Sequence, residues 1–316
     1  MRNLRGLTPI KNLNMKLIKN LVLLAVAVVV TISSNAQQSG IDSTGLPGDN
    51  FSLQGALEMF QKAASPEDFE KLINEENNNV NNLDLNGDGD VDYIKVIDRA
   101  DMEVHALVLQ VAVSETENQD IAVIEIEKTE DETAVLQIIG DEDVYGEEVI
   151  VEPNNGEDGA TISYNNNSNL SGPNVDFSEQ LNGVIVNVWL WPSVRFIYAP
   201  AYRPWISPWR WHFYPLWWKP WKPFAWHIWH PRVIVFHRPF VVVRTHRVVR
   251  AHAVYRPVRV TSVTVHNRHA ASVNHYRVTR TKTTHTGPRG TTTRTTTTVK
   301  KNGHIKGKKT TIKHRR

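Results

Sequence analysis

The 316-residue chain contains no cysteine, which excludes disulfides, thiolate metal sites and a cysteine nucleophile. Its formal net charge of +3 hides two opposed halves: residues 37–187 carry all 33 acidic residues against five basic ones, and residues 188–316 carry 26 Lys or Arg and no acid. The mean charge is no guide to partners; the −28 and +26 of the halves are.

Residues 1–36 read as a secretory signal region. Lys16 and Lys19 precede an apolar run at 21–32 that ends in Ser34-Asn35-Ala36, so cleavage leaves Gln37 first, and Met15 is an alternative start to Met1. The run is short for a membrane span, and the expected location is the periplasm, the outer-membrane periphery or the extracellular space. Residues 37–49 form a polar leader. Ser52 then caps a helix with Leu53, Ala56, Leu57, Phe60 and Ala63 on one face. Ser65, with Pro66 at the first helical position and Asp68 three residues on, starts a second helix carrying Phe69, Leu72 and Ile73.

Past an Asn-rich stretch at 77–82, Asp84, Asn86, Asp88, Asp90 and Asp92 alternate around Gly87 and Gly89. This spacing matches positions one to nine of a calcium loop, with Asp84, Asn86, Asp88 and Asp92 as side-chain ligands and Asp90 offering its carbonyl. Position twelve is Lys95 where a bidentate Glu belongs, and a strand rather than a helix follows. The alternative is an Asx-rich turn bonded to itself. Residues 91–97, 104–113, 121–127, 134–139 and 145–151 are β-branched runs joined by short polar turns, which predicts antiparallel neighbours. Acids recur on one face of these runs, as expected of a sheet covered by helices on one side and wet on the other. The expected fold class is α+β: two short helices packed on an antiparallel sheet of about five strands, over residues 50–152.

Residues 153–183 are rich in Asn, Gly and Ser and read as a linker. Residues 184–243 form a Trp/Pro-rich segment holding all ten Trp, with strands expected at 184–190, 194–198, 233–236 and 240–243. Proline at this density disfavours a long helix. Arg203, Trp205, Trp209, Arg210, Trp211, Trp217, Trp218 and Trp221 interleave cations and indoles as a contact surface would, although the same rings also suit a small core. Residues 244–316 form a basic His/Arg/Thr-rich tail that is expected to be disordered until it meets a partner.

His227 and His230, and His266 and His269, have the closest spacings among the histidines, but Pro231 argues against a helix under the first pair and no acid lies nearby in sequence to complete a metal site. Solvated histidines that add positive charge in acid are the expectation. No nucleophile elbow, zinc-protease helix or phosphate-binding glycine loop is present, so the chain reads as no enzyme.

The run Phe69-Glu-Lys-Leu-Ile-Asn74, the stretch from Val80 to Ile94, Trp191-Pro-Ser-Val-Arg195 and Ser207-Pro-Trp-Arg-Trp211 together resemble a group of uncharacterised exported proteins from Bacteroidetes-type bacteria. The resemblance spans most of the mature chain; it implies export and this chain organisation, and no chemistry. The expected function is attachment of the basic half to anionic envelope polymers or lipid headgroups, with extracellular nucleic acid as an equivalent ligand on charge alone, beside an acidic calcium-binding domain. The alternative is a structural or assembly protein whose two halves pair, within one molecule or by self-association, with no outside ligand.

Overall fold

The computed structural model describes residues 43–154, 185–275, 277–287, 290–301 and 304–315. The signal region, the start of the leader and the linker from 155 lie outside the described residues. Among the described residues no helix is long and apolar enough to cross a membrane.

Both expected helices form where their caps place them. In α1 (Leu53–Lys62) the Ser52 hydroxyl accepts the Gly55 amide, and in α2 (Pro66–Ile73) Ser65 accepts the Asp68 amide while the Asp68 carboxylate accepts Ala64 N at 2.9 Å. Each cap satisfies an amide that has no partner inside its helix. The leader does more than expected, because its last residues belong to the folded unit. Asp49 is buried and accepts from Ser43, Thr44 and Gly45, and the Trp229 indole donates to its carbonyl at 3.0 Å.

The five expected strands are β1 (Ile94–Asp101), β2 (Val104–Ala112), β3 (Asn118–Glu130), β4 (Thr133–Gly140) and β5 (Val149–Pro153), all antiparallel in chain order. A short helix, α3 (Glu142–Tyr145), takes Tyr145, expected to start the fifth strand, which begins instead at Val149. The sixth strand, β6 (Phe240–Val243), comes from the Trp/Pro-rich segment and pairs with β5 from Ile150 opposite Val243 to Pro153 opposite Phe240. At the opposite edge Ser207 N donates to Val96 O at 3.1 Å, and Asp98 N to Trp205 O at 2.7 Å. The two outer strands of the acidic half, β1 and β5, are thus each bonded by the C-terminal half, β5 along β6 and β1 around residues 205–207, which satisfies backbone that those edges would otherwise leave unpaired.

Three strands expected in the second half are not strands. Residues 185–190 are irregular, and 194–197 belong to α4 (Pro192–Ile197) with Tyr198 as its C-cap, because Pro192 suits the first helical position and Val194 and Ile197 bury one face. Residues 233–236 close α5 (Trp226–Val233) and continue as a short 3₁₀ turn. Helix α5 contains Pro231, contrary to expectation, and carries both His227 and His230; His230 is buried and His227 exposed, so the two share no open face.

Helices α1, α2 and α4 cover one face of the sheet, where Phe60, Phe69, Leu107, Ile124 and Ile138 meet Trp191, Trp229 and Phe236. The other face is not wet. Ala106, Val108, Val123, Ile139 and Ile150 pack there against Tyr255 of α6 (Val249–Tyr255). After α6 the chain forms α7 (Val263–His275). In place of the disordered tail expected over 244–316 stand α6, α7 and, among the described residues beyond 276, a separate three-stranded antiparallel sheet of β7 (Arg277–Gly287), β8 (Gly290–Lys301) and β9 (His304–Arg315). The Thr-rich composition, read as low complexity, is also β-branched composition, which favours strands.

Candidate functional site

The acidic face becomes covered because its carboxylates meet cations carried on residues 246–259. Arg247 Nε lies 2.8 Å from Glu152 Oε2, and Gln137 ties both, accepting the Arg247 amide and donating to Glu152. Glu127 accepts the amides of Arg250 and Ala251 at the start of α6 and pairs with the Arg250 guanidinium at 3.1 Å. Arg256 reaches Glu148 at 3.0 Å. Arg259 grips Asp141 with two nitrogens, at 2.5 and 2.8 Å, and Asp143 at 2.8 Å. Such paired, two-pronged contacts are the strong form of a charged hydrogen bond. Burial pushes the Asp141 carboxyl up to about 6 even with Arg259 beside it, and burial likewise raises Asp120, which accepts Tyr255 Oη and Val260 N.

The Trp/Pro-rich segment is anchored through Glu70. Its carboxylate is buried beneath α2 and accepts from Tyr93 Oη, Val96 N, Trp205 Nε1 and Ser207 Oγ at 2.8–3.2 Å. The signal was present in sequence: Glu70 lies three residues before buried Ile73 on the helix. Nearby, Asp98 accepts His105 Nδ1 and Tyr202 Oη, both within 2.9 Å.

The eight residues expected to form a contact surface divide. Trp205 is half-buried on Glu70, and Trp218 is buried against Tyr93 and Tyr214, with ring centroids 5.1 and 4.7 Å away. Trp209, Trp211 and Trp221 are half-buried, and the Trp221 carbonyl accepts Val91 N at 2.8 Å. Trp217 stays open with Lys71 Nζ 6.0 Å from its ring, and Arg203 and Arg210 are exposed, Arg210 lying 4.9 Å over Phe213. Ile206, Phe213 and Leu216 are exposed like Trp217, and along the sequence these four alternate with the exposed cations Arg203, Arg210 and Lys219. The segment is therefore part core, and its exposed apolar and cationic side chains between 203 and 219 are together called the ledge.

The loop at 84–92 is bonded to itself. Asp84 accepts the amides of Gly87 and Gly89, Asn86 that of Asp88, Asp88 that of Asp90, and Asp92 that of Leu85. Gly87 and Gly89 both take positive φ, which makes the sharp reversal possible. Burial, together with Asp84 and Asp88, pushes Asp92 up to about 7. Two cations of the chain itself reach the loop: Lys222 Nζ lies 2.8 Å from Asp90 Oδ1, and Arg268 donates to Leu85 O at 2.8 Å. Lys95, at position twelve, instead donates to Asn118.

The group among the described residues whose ligand atoms converge to metal-binding distances lies elsewhere. Glu125, His246 and His252 each place one such atom within 4.8 Å of the others. Sequence reading missed it because the His residues come from the basic segment and the carboxylate from β3, 127 positions from His252. A comparison of the chain with protein-family models, with curated proteins and with solved structures finds no match.

Proposed function

We propose that the chain is a non-enzymatic exported envelope protein that attaches to anionic lipid headgroups through the ledge at residues 203–219, with its acidic half as the plate onto which the basic half folds. The supporting observation is the ledge itself. Ile206, Phe213, Leu216 and Trp217 are 63%, 61%, 100% and 46% exposed and alternate in sequence with open Arg203, Arg210 and Lys219. Apolar tips of this kind enter the acyl boundary of a bilayer while the flanking cations hold phosphates. Arg247, Arg250, Arg256 and Arg259 are engaged by carboxylates of the same molecule, so attachment falls to the ledge and to the Thr/Lys/Arg strands beyond it.

Those same ion pairs favour the second reading, in which the halves pair within the molecule and no outside ligand exists. Calcium at the 84–92 loop is a further proposal; the crowding that raises Asp92 supports it, and the self-bonded turn with Lys222 at Asp90 supports the alternative.

The test is co-sedimentation of the mature protein with vesicles of phosphatidylcholine, with and without phosphatidylglycerol, across a salt series, and in parallel with peptidoglycan and DNA. A truncation at Asn187 is unsuitable because it removes β6 and uncovers both faces. Point variants serve instead: Leu216→Ser with Trp217→Ala at fixed charge, and Arg203→Gln with Arg210→Gln. Attachment predicts binding that needs the anionic lipid, weakens with salt and falls in both variants. Binding to no vesicle, or equal binding by the variants, leaves the pairing reading; preference for peptidoglycan or DNA transfers the ledge to that ligand.

A further inference from the structure

We propose that Glu125, His246 and His252 form a binding site for a divalent transition-metal ion of the zinc type, at the seam where the basic segment crosses the acidic face. Three separate elements supply the ligands: Glu125 from the middle of β3, His246 from the crossing that follows β6, and His252 from α6. Their ligand atoms lie within 4.8 Å of one another, and the two imidazole rings are 4.5 Å apart.

The independent observation is a pair of unsatisfied atoms. The Glu125 side chain is completely buried; its Oε1 faces His252 Nδ1 at 2.8 Å, while its Oε2 has neither a hydrogen-bond partner nor solvent. His246 Nδ1 is buried and unpartnered in the same way. A buried carboxylate oxygen and a buried imidazole nitrogen without partners are rare in folded proteins and call for an explanation. A cation answers both at once, since it needs lone pairs from a deprotonated carboxylate and from neutral imidazoles.

Two nitrogens and one oxygen are the donor set of zinc and its neighbours, whereas calcium and magnesium take oxygen ligands. Three protein ligands leave one tetrahedral position for water. The outer groups fit as well. His246 Nε2 faces Glu148 Oε2 at 3.4 Å, and Glu148 is held in turn by Arg256, which is the carboxylate support that orients a metal-bound imidazole through its far nitrogen. The ion then ties the basic segment to β3.

The experiment uses the full mature chain. Zinc is titrated against a chromophoric chelator, and cobalt is added to the unaltered protein, where a tetrahedral site gives intense visible bands, with no thiolate charge-transfer band because there is no cysteine. Expected are one tight equivalent, these cobalt bands, and a zinc affinity at least tenfold weaker in His246→Ala and His252→Ala, with His227→Ala and His266→Ala unchanged. If His252→Ala does not fold, the cobalt spectrum of the unaltered chain and the His246→Ala titration still decide. No tight equivalent, octahedral cobalt bands, or affinity indifferent to His246→Ala overturns the site.

Discussion

Replacing Arg259 by Gln tests whether the cations of the basic half work in folding rather than in solution. The guanidinium meets Asp141, whose side chain is only 3% exposed, and its own side chain is 17% exposed. Removing one partner of a buried pair leaves an uncompensated charge and costs about 3–5 kcal/mol. For a folded unit of this size that is a fall in Tm of about 6–20 °C. The pH dependence carries a sign. Asp141 sits at about 6 in the folded chain against its ordinary 3.8, so its ionisation works against folding: the stability tied to its protonated form is present at low pH and lost as pH rises through about 6. Without Arg259 the folded value rises further, so the deficit of Arg259→Gln should be full at pH 8 and smaller at pH 5, where Asp141 is protonated in both proteins. Thermal unfolding of the unaltered chain, Arg259→Gln, Asp141→Asn and the double variant at both pH values completes a cycle. A Tm change below about 2 °C, or an equal loss in the Asp141→Asn background, would refute the reasoning.

Glu70→Leu strips four donors of their acceptor and should lower stability by at least about 3 kcal/mol, read as a urea midpoint, with early proteolytic cutting in 203–222 as the local sign. Gly48→Ala places a methyl 2.4 Å from the Tyr145 ring, backed by Gly140 on its other side; the overpacking should cost about 1–3 kcal/mol in the same measurement. If the 84–92 loop takes calcium, millimolar calcium should raise Tm over chelator and release protons near pH 7 as Asp92 ionises, and Asp84→Ala should abolish both effects; an unchanged Tm leaves the self-bonded turn.

Local features were legible from sequence alone. Ser52 and Ser65 cap helices because a hydroxyl three residues before an amide needs nothing distant to form its bond, and the five β-branched runs between 91 and 151 each supply a strand in chain order because short turns permit little else. The glycines of the 84–92 loop likewise announce their reversal. What the sequence also determined, without saying how it would be spent, is the separation of 33 acids from 26 cations.

Only the tertiary structure decided which cation meets which acid. Charge opposition is long-ranged and unspecific, whereas Arg259 at Asp141 and His252 at Glu125 depend on α6 lying across β3 in one register, and that register follows from Tyr255 packing among Val108, Val123 and Ile139. The acidic face looked solvated because the residues that cover it lie 95 or more positions away. For the same reason Trp205, Trp218 and Trp217 look alike in sequence and differ in the fold. Trp205 and Trp218 sit where Glu70 and Tyr93 receive them, and Trp217 turns outward at a bend that no local pattern orients.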